Sequence, residues 1–86
     1  MMDLQELRGR IDEIDNNLVD LFQQRMDVSA EIARYKQRHN LPVHDPARER
    51  QKLHDLCGKT EEGSYITALY SLIFELSRAE QERILN

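Results

Sequence analysis

The sequence predicts an all-α chain of three helices, one long, one short and one of medium length, that folds as part of a homodimer. Two observations carry this. From Leu4 onward apolar residues recur in alternating steps of three and four: Leu4, Leu7, Ile11, Ile14, Leu18, Leu21, then Val28, Ile32 and Tyr35. That is a heptad seam, and no strand-like alternation, internal repeat or low-complexity tract competes with it anywhere in the chain. The second observation is length. At 86 residues a single domain, 1–86, lies near the lower limit for burying a self-sufficient core.

The seam predicts one helix from about Leu4 to about Arg38. Asn40-Leu41-Pro42 should end it, because the residue before a proline is pushed out of helical geometry. Such a helix is about 50 Å long at ~1.5 Å per residue. A compact monomer of this size has a radius of gyration near ~12 Å, so the helix overshoots its own globule. Its distal half must pack on another chain or stand exposed. Asp45-Pro46 then supplies an N-cap followed by proline at the first helical position. A short second helix follows to about Cys57, anchored by Leu53 and Leu56. Gly58 suits the left-handed position after a helix end. A polar loop, Lys59 to Gly63, leads to a third helix starting near Ser64, with Ile66, Leu69, Tyr70, Ile73, Phe74, Leu76 and Ile84 as its apolar stripe.

Composition narrows the function classes. The lone Cys57 rules out an internal disulfide and fits a reducing compartment. No charged-then-apolar leader opens the sequence and no apolar run approaches bilayer length, so a cytoplasmic protein with no membrane partner is expected. Twelve basic against 16 acidic side chains give a formal charge of −4. That balance argues against a nucleic-acid partner. An anionic ligand would have to be attracted by a local cluster of cations.

Several polar residues fall where apolar ones are due. Arg25 sits in the seam midway between Leu21 and Val28, and a buried guanidinium costs several kcal/mol unless paired. Lys36, 11 residues on, lies on almost the same face, with small Ser29 and Ile32 between. The two could lean toward one anionic ligand; equally, Arg25 could pair with a carboxylate across the dimer or snorkel to water. Ser77 and Gln81 are one turn apart and continue the stripe through Tyr70 and Ile73, although alone they read as a solvated helix end. In Asp45-Pro46-Ala47-Arg48-Glu49-Arg50, Asp45 caps and Glu49 complements the helix macrodipole. Arg48 is the misfit, a cation in a first turn, and becomes sensible if it grips a carboxylate. Arg8, beside Leu7, reads alone as part of a solvated face. His39, His44 and His54 lack metal-site spacing, and there is no glycine-rich phosphate loop, nucleophile elbow or activated cysteine. The inventory points to chemistry by binding.

Taken in order, these residues resemble the all-α class of chorismate mutases over essentially the whole chain. Leu7-Arg8 followed by Ile11-Asp12-Glu13-Ile14-Asp15 looks like the start of that family's long helix. Arg25 and Lys36 match its next two cationic positions, and Pro42-Val43-His44-Asp45-Pro46-Ala47-Arg48-Glu49-Arg50 is similar to its most distinctive stretch. Ser77 and Gln81 match its third-helix polar pair. The loop Lys59 to Gly63 is short for the family.

The resemblance implies an intertwined homodimer with two equivalent sites, working without metal or cofactor. Each site would draw Arg25, Lys36, Asp45, Arg48, Glu49, Ser77 and Gln81 from one chain and Arg8 from the other. The family reaction is the Claisen rearrangement of chorismate to prephenate, on the route to phenylalanine and tyrosine. By the same resemblance the arginines and Ser77 would grip the substrate's carboxylates, Lys36 and Gln81 would donate to the ether oxygen, and Glu49 would accept from the ring hydroxyl. A rival on a similar scaffold is an isochorismate-pyruvate lyase; the presence of Asp45, Glu49 and Ser77 together favours the mutase. A non-catalytic helical dimerisation module would explain the seam but not the cations and amides set into apolar stripes.

Overall fold

In the computed structural model, which describes residues 3–85, the chain forms α1 (Leu4–Arg38), α2 (Pro46–Cys57) and α3 (Gly63–Leu85). α3 packs against both α1 and α2, which do not pack on each other.

Each terminus has a local cause. Asp3 caps α1 by accepting from the Glu6 N–H at 2.8 Å. At the other end the expectation from Pro42 is half the account. Asn40 adopts a positive φ of 56°. The Leu41 N–H then reaches back to the Lys36 carbonyl at 2.8 Å, and the Asn40 N–H to that of Gln37 at 3.4 Å. This is a Schellman closure with asparagine in the left-handed position, so the stop is made two residues before the proline. α2 begins as expected: Asp45 Oδ1 accepts from the Arg48 N–H at 3.1 Å, and Pro46 occupies the first turn. Gly58 departs from expectation, with φ −70° and ψ −10°. α2 ends in an ordinary right-handed turn, and no left-handed glycine is needed. α3 starts at Gly63, one residue before Ser64.

The core is small and is built where α3 crosses the C-terminal half of α1. On α1 it consists of Ser29, Ala30 and Ala33, and on α3 of Phe74, Ser77 and Gln81. The small residues on α1 let α3 approach closely, and half of this core is polar. Beyond the crossing α1 runs on alone. Leu4, Leu7, Ile11, Ile14, Leu18 and Leu21 are all exposed, by 44–61%.

The shape agrees with this. The molecule measures 56 × 24 × 14 Å, with a radius of gyration of 16.3 Å against the ~12 Å of a compact monomer. Its accessible surface of 6995 Å² exceeds the ~5,300 Å² expected of a folded monomer of this mass. The α3 stripe is also split between two faces. Phe74 is buried within the chain, whereas Leu69 and Leu76 join Tyr65 and Leu72 on an exposed side. A helix that is apolar on more than one face is one that expects further packing. On its polar side Arg83 donates to both Glu80 oxygens at 3.1 and 2.6 Å. Those hydrogen bonds, and secondarily the Arg83 charge, hold the Glu80 carboxyl below the usual carboxylate range; with Arg83 itself largely exposed, the pair adds little stability. Among the described residues, no helix is long and apolar enough to cross a membrane.

Candidate active site

Three helix faces converge on one cleft of 490 Å³. α1 contributes Arg25, Val28, Ser29, Ile32 and Lys36; α2 and its cap contribute Asp45, Arg48, Glu49 and Lys52; α3 contributes Phe74, Ser77, Arg78 and Gln81. Within each helix these positions follow steps of three and four, so each set is a single stripe aimed inward. The loop residue Val43 completes the lining.

Seven of the eight residues singled out in the sequence therefore meet: Arg25, Lys36, Asp45, Arg48, Glu49, Ser77 and Gln81. The eighth, Arg8, does not line it. It lies 17 residues before Arg25 on the same straight helix, about 25 Å away along the axis, on the segment that projects beyond the chain's own bundle.

Local contacts show how the cations are held. Arg25 donates through Nη1 to Ser77 Oγ, and its guanidinium lies over the Tyr70 and Phe74 rings, 5.9 and 5.8 Å from their centroids. A half-buried guanidinium seated on aromatic faces is attracted by the rings in place of part of its water. Lys36 Nζ donates to the Val43 carbonyl at 2.7 Å, which ties the end of α1 to the loop and leaves two of its three donors free. Among the described residues no carboxylate lies within ion-pair distance of Arg25, Lys36, Arg48 or Lys52. Five cations against two carboxylates line the cleft, a net local charge of +3 in a chain of net charge −4. The cluster demanded by composition is present.

Ser77 and Gln81, which alone read as a solvated helix end, are 7% and 8% exposed. The Gln81 Oε1 atom is buried with no hydrogen-bond partner among the described residues. An unpaired buried amide oxygen costs about 1–3 kcal/mol, a cost more characteristic of a ligand site than of a structural core.

Three participants escape the sequence reading. Lys52 is one turn beyond Arg48 on the same face of α2, so helical spacing could have found it. Arg78 is one turn beyond Phe74 on α3, and its Nη1 contacts both Glu49 oxygens at 2.7 and 2.6 Å. The Val43 carbonyl has no side-chain signature and was not findable.

The family model described as chorismate mutase type II matches residues 7–82. The chain is 38% identical over 88 residues to the bifunctional chorismate mutase/prephenate dehydratase of Buchnera aphidicola subsp. Schizaphis graminum, a match that takes in 98% of this chain and only 23% of that protein. It is 29% identical over 86 residues to the chorismate mutase of Methanocaldococcus jannaschii, covering 95% of this chain and 87% of that one. The crystal structure of chorismate mutase from Helicobacter pylori in complex with prephenate superimposes with a TM-score of 0.87 at 35% identity, covering 95% of this chain and 92% of that chain. With three helices in the same arrangement and a family match running from the seam to the end of the α3 polar stripe, the chain belongs to the chorismate mutase type II family.

Proposed function

We propose that the chain catalyses the rearrangement of chorismate to prephenate as a homodimer, each cleft being completed by Arg8 of the second copy. The observation that carries this reading is the cleft itself, where Arg25, Lys36, Arg48 and Lys52, all without counter-ions among the described residues, surround an apolar floor next to Gln81, whose buried Oε1 has no partner. Both substrate and product carry two carboxylates, and a net local charge of +3 suits a dianion. The similar Helicobacter protein is described with prephenate bound.

The reaction needs neither proton transfer nor a nucleophile. One ether C–O bond breaks as one C–C bond forms within the same molecule. Catalysis is then orientation plus electrostatics. Arg25 with Ser77, Arg48, and Arg8 from the second copy hold the carboxylates and keep the enolpyruvyl arm folded over the ring, which removes conformational freedom in advance of the barrier. Lys36 and the Gln81 amide donate to the ether oxygen, where charge grows as the bond breaks, and so favour the transition state over the ground state. Glu49 accepts from the ring hydroxyl, and Asp45 fixes the start of α2 around it.

Exposed area supports the dimer. The chain shows roughly 1,700 Å² more surface than a compact monomer of its mass, and obligate dimers bury areas of this order. A two-fold pairing of the α1 seams covers Leu4 to Leu21 on both copies. It also carries each Arg8 away from its own cleft toward the other.

Incubating the purified chain with chorismate should remove chorismate absorbance and yield prephenate; an inert protein, or release of pyruvate, defeats the reading. Arg8→Ala and Arg25→Ala are each expected to be nearly inactive, because each removes a cation from every site. Mixing them after unfolding and refolding should restore one intact site per heterodimer. Failure to recover activity, with subunit exchange verified by mass spectrometry, removes the cross-chain role of Arg8.

Gln81→Met should separate stability from activity. Replacing the unpaired buried amide by an apolar group of similar shape is expected to stabilise the fold by roughly 1 kcal/mol, read as a higher unfolding temperature, while turnover falls. A variant that is both less stable and fully active would contradict the assignment.

A further inference from the structure

Arg78 lines the cleft without a part in the mechanism above. It lies beside Glu49, with side-chain exposures of 30% and 24% for the two, and its Nη1 bonds both carboxylate oxygens. The nearest other basic group is His44, its Nε2 3.8 Å from Glu49 Oε1. A guanidinium in this position does two things to a carboxylate: it fixes the plane in which the oxygens lie, and it cancels their charge. What remains for a ligand is free lone pairs, which accept from a neutral donor, with no net charge to attract a cation. The surrounding Arg25, Lys36, Arg48 and Lys52 make the cleft still less hospitable to positive charge.

We propose that Arg78 is a positioning residue that sets substrate specificity at the ring substituent. By chelating Glu49 it makes the acceptor there electrically neutral, so the site takes a substrate presenting a hydroxyl and rejects one presenting an ammonium. The proposal rests on the assignment of this cleft to chorismate with Glu49 at the ring hydroxyl. Removing Arg78 frees a carboxylate that is a direct counter-ion for an ammonium, so discrimination falls from both sides.

The test compares kcat/KM for chorismate and for its analogue with an amino group in place of the ring hydroxyl. The proteins are the unaltered chain, R78M, R78K, E49Q and the double variant E49Q/R78M. Circular dichroism and sedimentation confirm that each is folded and assembled. R78M is expected to shift the ratio toward the amine by about tenfold or more, the scale of one well-placed charge interaction, and R78K should restore most of it. With a neutral amide at position 49, loss of Arg78 should leave the ratio unmoved. Equal losses with both substrates, or a shift that persists in the E49Q background, overturn the role of Arg78. Absence of chorismate turnover by the unaltered chain overturns the assignment of the cleft, and this proposal with it.

Discussion

Lys36→Ala is expected to lower turnover by ~10²–10³ or more, the usual cost of losing one pre-organised donor to a developing oxyanion. The structure supplies reasons for the large figure. The ammonium is half-buried, and its bond to the Val43 carbonyl fixes where the remaining donors point. No carboxylate competes for it among the described residues. A donor this constrained costs little reorganisation when charge appears on the ether oxygen. Its contribution should therefore fall mainly on kcat, with a smaller rise in KM, because the ground-state ether oxygen is a poor acceptor. The variant also loses one tether between α1 and the loop, worth about 1 kcal/mol, so its unfolding temperature should drop modestly. Following chorismate absorbance under saturating substrate decides the matter: a kcat within a few-fold of the unaltered chain would mean that Lys36 is a loop tether and no more.

Where sequence and structure agree, the agreement has a common physical root, and the same holds where they part. The bounds of α1 and α2 were legible because a heptad seam and an Asp-Pro pair are local signals. The segment Asn40-Leu41-Pro42 does end α1, but the proline is not the cause: the chain closes on Asn40, since asparagine tolerates the left-handed region almost as glycine does. Gly58 carried the opposite error: a glycine that could adopt that conformation has no need to. Arg25 stands out because it interrupts an apolar stripe, and Lys36 because it lies on almost the same face 11 residues on. Ser77 and Gln81 did not stand out by spacing alone, because a helix end next to the core and one exposed to solvent have the same composition. Lys52 and Arg78 were hidden by ordinary chemistry: a charged residue on a short helix, or beside a serine already noticed, looks solvated until its neighbours are known. The proposed place of Arg8 depends on a second copy, and no local pattern encodes that.

Ile14→Asp is expected to abolish both the dimer and the activity at micromolar concentration. Ile14 is 51% exposed in the single chain, so a monomer would tolerate aspartate there with little loss. In a paired seam the substitution is applied twice by symmetry, and each buried, unpaired carboxylate costs several kcal/mol. That combined penalty corresponds to at least a ~10³-fold weaker association. The consequences should then travel along α1. Every residue from Leu4 to Leu21 is exposed in the single chain, and an isolated helix of about this length is marginal in water. Dissociation should therefore show as a loss of helical signal concentrated in the N-terminal half, along with a monomeric mass by sedimentation. The two active sites should fail together, since each loses its Arg8, and part of the activity should return on raising protein concentration. An Ile14→Asp protein that stays monomeric, fully helical and active would show that the exposed seam is not what completes the site.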